Sequence, residues 1–178
     1  QRQMCIRDRY LTEDEIRDNA KVILGFDEKD PDVKQGTGQI TTFNQLGFKG
    51  VSDKPDGWYL PNDKQDIAII LETKSEKEDV FSEKHYAELV KNIEIAALQY
   101  KRVVGILYNG TDVRVIKYIK GSEQYEEIAD VAKTLQNKRY YIALFKENRI
   151  NKQLIYSLTK KINDCLHVQF GICLLYTS

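Results

Sequence analysis

Ile67-Ala68-Ile69-Ile70-Leu71 is an unbroken apolar run, rich in β-branched residues, that stops abruptly at Glu72-Thr73-Lys74. So short a run, apolar at every position instead of alternating, reads as a strand buried on both faces. A strand covered on both sides needs layers above and below it, so the rest of the chain has to supply helices and neighbouring strands.

The flanking sequence meets that demand. Thr12-Glu13-Asp14-Glu15 is a capping box, and a helix of about twelve residues follows with Ile16, Ala20, Ile23 and Leu24 at helical spacing and Gly25 as its stop. Residues 27–50 hold aspartates, Pro31 and several glycines among few apolar residues, and predict a long irregular connection with at most a short turn or strand. Gly57 to Leu60 reads as a strand and Pro61-Asn62-Asp63 as a turn. Ser82 to Tyr100 places Tyr86, Leu89, Val90, Ile93, Ala97 and Tyr100 on one helical face. Val103–Tyr108, Asn109-Gly110 and Val113–Ile119 read as a hairpin with a primed turn. Glu126 to Leu135 reads as helix and Tyr140 to Phe145 as strand or helix. Ile150, Leu154, Ile155, Leu158, Ile162 and Leu166 form a last helix. The expected fold is an α/β sandwich, a mixed central sheet flanked by helices, with Trp58 in its core.

Composition narrows the class. The chain has 178 residues, with 27 Lys+Arg against 27 Asp+Glu, which suits one soluble domain. No apolar run approaches the roughly 18 residues a bilayer crossing requires. Cys5, Cys165 and Cys173 form no CxxC pair, so neither a disulfide framework nor a zinc staple is indicated, and a reducing cytoplasm is the expected compartment. Zero net charge gives no general case for nucleic-acid binding. A local case rests on Lys101, Arg102, Arg114, Lys117 and Lys120, a basic excess that could contact a DNA backbone or simply line a solvated hairpin. The two ends, residues 1–9 and 173–178, resemble translated sequencing-adapter read-through, and the expectation is the front part of a longer protein.

The chemistry concentrates in Pro55-Asp56, fifteen further residues, and Glu72-Thr73-Lys74. Alternation along the strand puts Glu72 and Lys74 on the face of Ala68 and Ile70. If the preceding strand folds back antiparallel, Asp56 returns beside Glu72. Two adjacent carboxylates repel unless a cation separates them, and a hard dication such as Mg²⁺ accepts Asp56, Glu72 and the backbone carbonyl of Thr73 as oxygen ligands. Lys74 is then placed to orient a water or neutralise developing charge. The plainer readings are a turn aspartate before Gly57 and a solvated ion pair at a strand end.

Pro55-Asp56 … Glu72-Thr73-Lys74 resembles the PD-(D/E)xK nuclease core. The stretches Lys49–Gly57, Ile69–Lys74 and Ala97–Gly110 are similar to the N-terminal nuclease domain of fused, type IIG-like restriction-modification enzymes, to which type I restriction subunits are related. Residues 162–172 resemble the connector that precedes an N6-adenine DNA methyltransferase domain in such fusions.

The resemblance implies a restriction-endonuclease-like core over residues 10–147 and a helical connector over 148–172. It further implies a Mg²⁺-dependent endonuclease acting on double-stranded DNA, with S-adenosylmethionine used only by a domain further downstream. Asp56, Glu72 and Lys74 are the implied catalytic residues. Glu15 is the candidate for the additional acid that some relatives carry on the first helix. The Gln-x-x-x-Tyr pattern of many relatives is incomplete: Tyr100 fits, but Ala96 stands where the glutamine would be and Gln99 is adjacent to the tyrosine. The competing reading is an inactive nucleic-acid-binding module that keeps the fold. His85 and His167 fall in no metal-ligand spacing and read as surface or linker residues, while Glu76, Glu78, Asp79 and Glu83 read as a solvated loop.

Overall fold

The structure is a computed structural model that describes residues 9–122, 124–129, 131–146, 157–162 and 164. The three cysteines, His167, all but Arg9 of the adapter-like ends, and most of the expected last helix lie outside the described residues. Of that helix, residues 157–162 are helical, with Leu158 and Ile162 exposed. The chain divides into a unit ending at Tyr141 and a second beginning at Ile142. No described helix is long and apolar enough to cross a membrane.

The first unit is a mixed α/β fold. Its order is α1 (Glu13–Leu24), β1 (Val33–Thr37), α2 (Phe43–Leu46), β2 (Gly57–Pro61), β3 (Ile67–Thr73), α3 (Glu83–Ala97), β4 (Arg102–Tyr108), β5 (Val113–Ile119) and β6 (Tyr125–Glu127). One six-stranded sheet holds the strands in sequence order. Every neighbouring pair is antiparallel except β3 and β4, which run parallel because α3 carries the chain back between them.

All seven residues of β3 are buried, as its apolar run requires. Ala68 and Ile70 join Leu89, Ile93 and Ala96 of α3 in one core cluster, together with Trp58. At the crossing of α3 over the sheet stands Gly105, the register partner of Ile70. A Cβ there would meet Ile93 Cγ1 at 2.9 Å and Leu89 Cδ1 at 3.1 Å, so the missing side chain lets the helix lie close. α1 begins with the expected capping box and ends at Gly25, whose φ of 72° is left-handed. Its buried face is Ile16, Arg17, Ala20 and Leu24, while Ile23 is 39% exposed. The buried face thus includes an arginine, where the apolar spacing gave only hydrophobic residues.

Three other expectations are corrected. The connection over 27–50 contains β1, an edge strand paired along its whole length with β2, and the short, capped α2. The β4–β5 turn is centred on Gly110 and Thr111, one residue later than expected, with Asn109 N donating to the Asp112 carbonyl at 3.3 Å and Gly110 at a φ of 93°. Asn109 Oδ1 also accepts from Thr111 N at 3.1 Å and Asp112 N at 2.7 Å, so a side chain reinforces the bend. The stretch from Glu126 is not helical. Tyr125 stacks on Tyr118 with ring centroids 5.0 Å apart, and Glu126 and Glu127 pair with Lys117 and Arg114. These cross-strand contacts hold β6 as an edge strand. Residues 138–146 are helical, which resolves the Tyr140–Phe145 alternatives.

Candidate active site at the carboxyl end of β3

The β2–β3 ladder runs Tyr59↔Ile69, Trp58↔Ile70, Gly57↔Leu71. One further step in each strand brings Asp56 opposite Glu72. The pairing ends there because the Asp56 carboxylate replaces backbone: its Oδ2 accepts from Thr73 N at 2.8 Å and from Thr73 Oγ1 at 2.9 Å. Its Oδ1 accepts from Arg17 Nη1 of α1 at 3.1 Å. Asp56 is therefore locked from two elements, with a side chain 14% exposed.

Glu72 and Lys74 both turn toward α3, on the face of Ala68 and Ile70. Asn92 Nδ2 donates to Glu72 Oε1. Lys74 Nζ pairs with Glu88 Oε2 at 2.9 Å. Glu88 and Asn92 are one helical turn apart, so a single edge of α3 serves both β3 side chains. Glu72 is 6% exposed, and its carboxyl is pushed up to about 8, first by burial and then by the Asp56 charge, against the opposing pull of Lys74 and Asn92. For Lys74, burial works against the charge, but the bond to Glu88 and the nearby Glu72 outweigh it and hold the ammonium above its ordinary range.

Glu15, the acid expected from the first helix, is engaged in the helix cap. Glu15 accepts from Thr12 N at 2.9 Å and Thr12 Oγ1 at 2.8 Å and pairs with Arg9 at 3.2 Å. Those bonds hold its carboxyl low and keep it in the cap. Glu13, one helical turn before Arg17 on α1, is half-buried. Its pKa is raised by burial and then by Asp56, with Lys74 and Arg17 pulling the other way.

The basic cluster does not form one open patch. Arg114 makes paired bonds to Glu127 at 3.1 and 2.9 Å and lies over the Tyr86 ring at 4.6 Å. Lys117 is 5% exposed and 3.4 Å from Glu126. Arg102 donates to the Gln65 carbonyl, and Lys120 donates to the Leu98 carbonyl at 3.3 Å. Lys101 is exposed. Arg102 pairs in register with Ile67, so it stands at the opposite end of β3 from Glu72.

The surface reading of His85 is corrected too: it is buried, with Nδ1 3.3 Å from Glu88 and Nε2 3.5 Å from Glu78. The acidic loop is likewise tied down. Glu76 accepts from Leu11 N at 2.9 Å, and Glu78 accepts from Ser75 N at 3.1 Å and Ser75 Oγ at 2.9 Å. Gln99 donates to the Gly47 carbonyl at 2.8 Å, and Tyr100 Oη to the Pro61 carbonyl at 2.6 Å, both structural bonds remote from Glu72 in the register.

Arg17, Glu13, Glu88 and Asn92 were not singled out as site residues by sequence, and His85 was read as a surface or linker residue. A signal existed for Asn92, which sits between Leu89 and Ala96 in the apolar seam of α3 and so had to find a buried partner.

The two carboxylates at the end of β3, Asp56 and Glu72, offer oxygen ligands, which suit a hard dication rather than a soft one. Among the described residues no cluster of three or more His, Cys, Asp or Glu forms a ready ligand cage. The fit is that of two carboxylates completed by water, and the under-compensated charge at Glu72 is the feature a dication would relieve. Compared with protein-family models, curated proteins and solved structures, the chain gives no match.

Proposed function

We propose that the chain is the nuclease domain of a restriction-modification enzyme, a PD-(D/E)xK-type, Mg²⁺-dependent endonuclease acting on double-stranded DNA in the cytoplasm. DNA adenine methylation would belong to a part further downstream. The observation that carries this reading is the meeting of Asp56 and Glu72 at the end of the β2–β3 ladder, with Lys74 on the Glu72 face. A structural ion pair has no need of a second, repelling acid beside it.

Asp56, Glu72 and the Thr73 carbonyl would hold the cation, which when bound polarises a phosphoryl oxygen and acidifies a water. Asp56 is held in place by Thr73 and Arg17, so its carboxylate is oriented before any ligand arrives. Lys74, kept protonated by Glu88 and Glu72, neutralises charge that builds on the phosphoryl oxygens. Glu13 faces the same region from α1 and can hold a proton there at a higher pH than an ordinary carboxyl.

The test is plasmid cleavage in Mg²⁺. Asp56→Ala and Lys74→Ala are each expected to lose at least about 10²-fold in rate, on the scale of removing one transition-state donor, and unchanged cutting by either variant would defeat the assignment. The engagement of Asp56 by Arg17 and Thr73 favours the competing reading of a binding module without chemistry. That module would retain DNA without cutting it, and both variants would leave retention unaltered.

A further inference from the structure

Arg17 is an anomaly in the face it occupies. α1 buries Ile16, Ala20 and Leu24, and Arg17 lies among them at 5% exposure. Its stem can pack as an apolar side chain does, but its guanidinium must be satisfied, and it never loses its charge. It is held at both ends: Nη1 reaches Asp56 Oδ1 at 3.1 Å, and Nη2 bonds Asp14. Asp14, whose side chain is 63% exposed, also accepts from Gln39.

A carboxylate offers about four acceptor sites. Thr73 takes two on Oδ2 and Arg17 one on Oδ1, which leaves about one. The charges converge in the same way. Asp56 feels both Glu13 and Glu72, and the nearby ammonium of Lys74 is claimed by Glu88. Arg17 is the cation in direct contact with Asp56.

We infer that Arg17 is a resident counter-ion of Asp56, occupying in the free protein the charge-compensating place that a divalent cation takes over, and withdrawing toward Asp14 as the cation binds. The inference rests on the proposed metal site and adds to it a built-in competitor that sets cation affinity. The exposed Asp14 gives the guanidinium a charged partner to retain when Asp56 is surrendered, so release needs no unwinding of α1.

The experiment is Mn²⁺ and Ca²⁺ binding by calorimetry to the full 178-residue chain, without DNA. Arg17→Met is expected to bind about three- to tenfold more tightly than the parent, because a like charge has left, while Arg17→Lys, which keeps the charge, should stay within about twofold. Affinity in Arg17→Met equal to or weaker than the parent would overturn the role of Arg17 while leaving the metal site standing. If neither the parent nor Arg17→Met binds either cation, the proposed metal site itself fails.

A second measurement needs no substitution and so does not depend on a variant folding. The guanidinium ¹⁵N–¹H signals of Arg17 in the parent protein should shift on addition of diamagnetic Ca²⁺, at the concentrations that saturate binding. Signals that stay in place while Ca²⁺ binds would overturn the inference.

Discussion

The two ends of β3 handle buried polarity in opposite ways. At the amino end, cations meet neutral oxygens: Lys64 donates to the Pro61 carbonyl at 3.3 Å and to Tyr100 Oη, and Arg102 donates to the Gln65 carbonyl. Burial pushes the Tyr100 hydroxyl up to about 12, where it is neutral at any physiological pH and serves only as a hydrogen-bonding post. At the carboxyl end, acids face acids. Burial and the Asp56 charge move Glu72 to about 8, so it changes protonation in the working range. One end closes the fold; the other stores electrostatic conflict.

The sharpest way to break this contrast is through pH. Glu72 has a folded-state pKa above its unfolded value, so its protonated form is the one the fold prefers. Its contribution is undiminished below about pH 4.5, and stability is lost as pH rises toward about 8. Glu72→Gln keeps an acceptor for Asn92 without the charge. In EDTA it should match the parent near pH 4 and exceed it by roughly 3–5 kcal/mol above pH 8, read from urea melts at both values. Lys64→Met at the other end should cost under about 1 kcal/mol with no pH dependence between 5 and 8; equal slopes in the two variants would erase the distinction.

A smaller effect sharpens the cause. Asp56→Asn removes the neighbouring charge but not the burial, so the Glu72 pKa should fall from about 8 while remaining above 4.5. Carboxyl ¹³C titration would show it, and an unmoved Glu72 would mean the two acids do not interact. The same variant should lose about 1–2 kcal/mol of stability with its charge-assisted bonds to Arg17 and Thr73. Smallest is Glu88→Gln, which should lower the pKa of Lys74 and speed its acylation at mildly alkaline pH. A modification rate equal to the parent's would remove Glu88 from the account.

Much of this was legible in the chain because it obeys short-range rules. Ile67–Leu71 announced a central strand by having no polar alternation, and Thr12, Gly25 and Ser82 marked helix ends through local hydrogen bonds and a left-handed turn. β1 was hidden because Val-Lys-Gln-Gly-Thr has no apolar period, and an edge strand is held by backbone pairing that composition does not report. β6 was hidden for a related reason: Tyr125-Glu126-Glu127 gains its partners from β5, and no window on one segment reveals them.

At the site, Asp56, Glu72 and Lys74 could be named from their spacing because strand register does the positioning. Arg17 and Asn92 could not be named in the same way, since each is a polar residue at an apolar position whose reason lies across the fold. Glu15 is held by a local partner, the helix cap, which the Thr12–Glu15 spacing already announces.

Gly105 gives the arrangement a remote adjustment screw. The helix it admits carries Glu88 and Asn92, the two side chains that steady Lys74 and Glu72. A methyl group at 105 would act as a shim beneath that helix and lengthen the reach of both, detuning the acids and the ammonium together although no charged atom had been touched. The spacing of these side chains is thus set by a residue with no side chain of its own, two strand positions removed from Glu72 in the register.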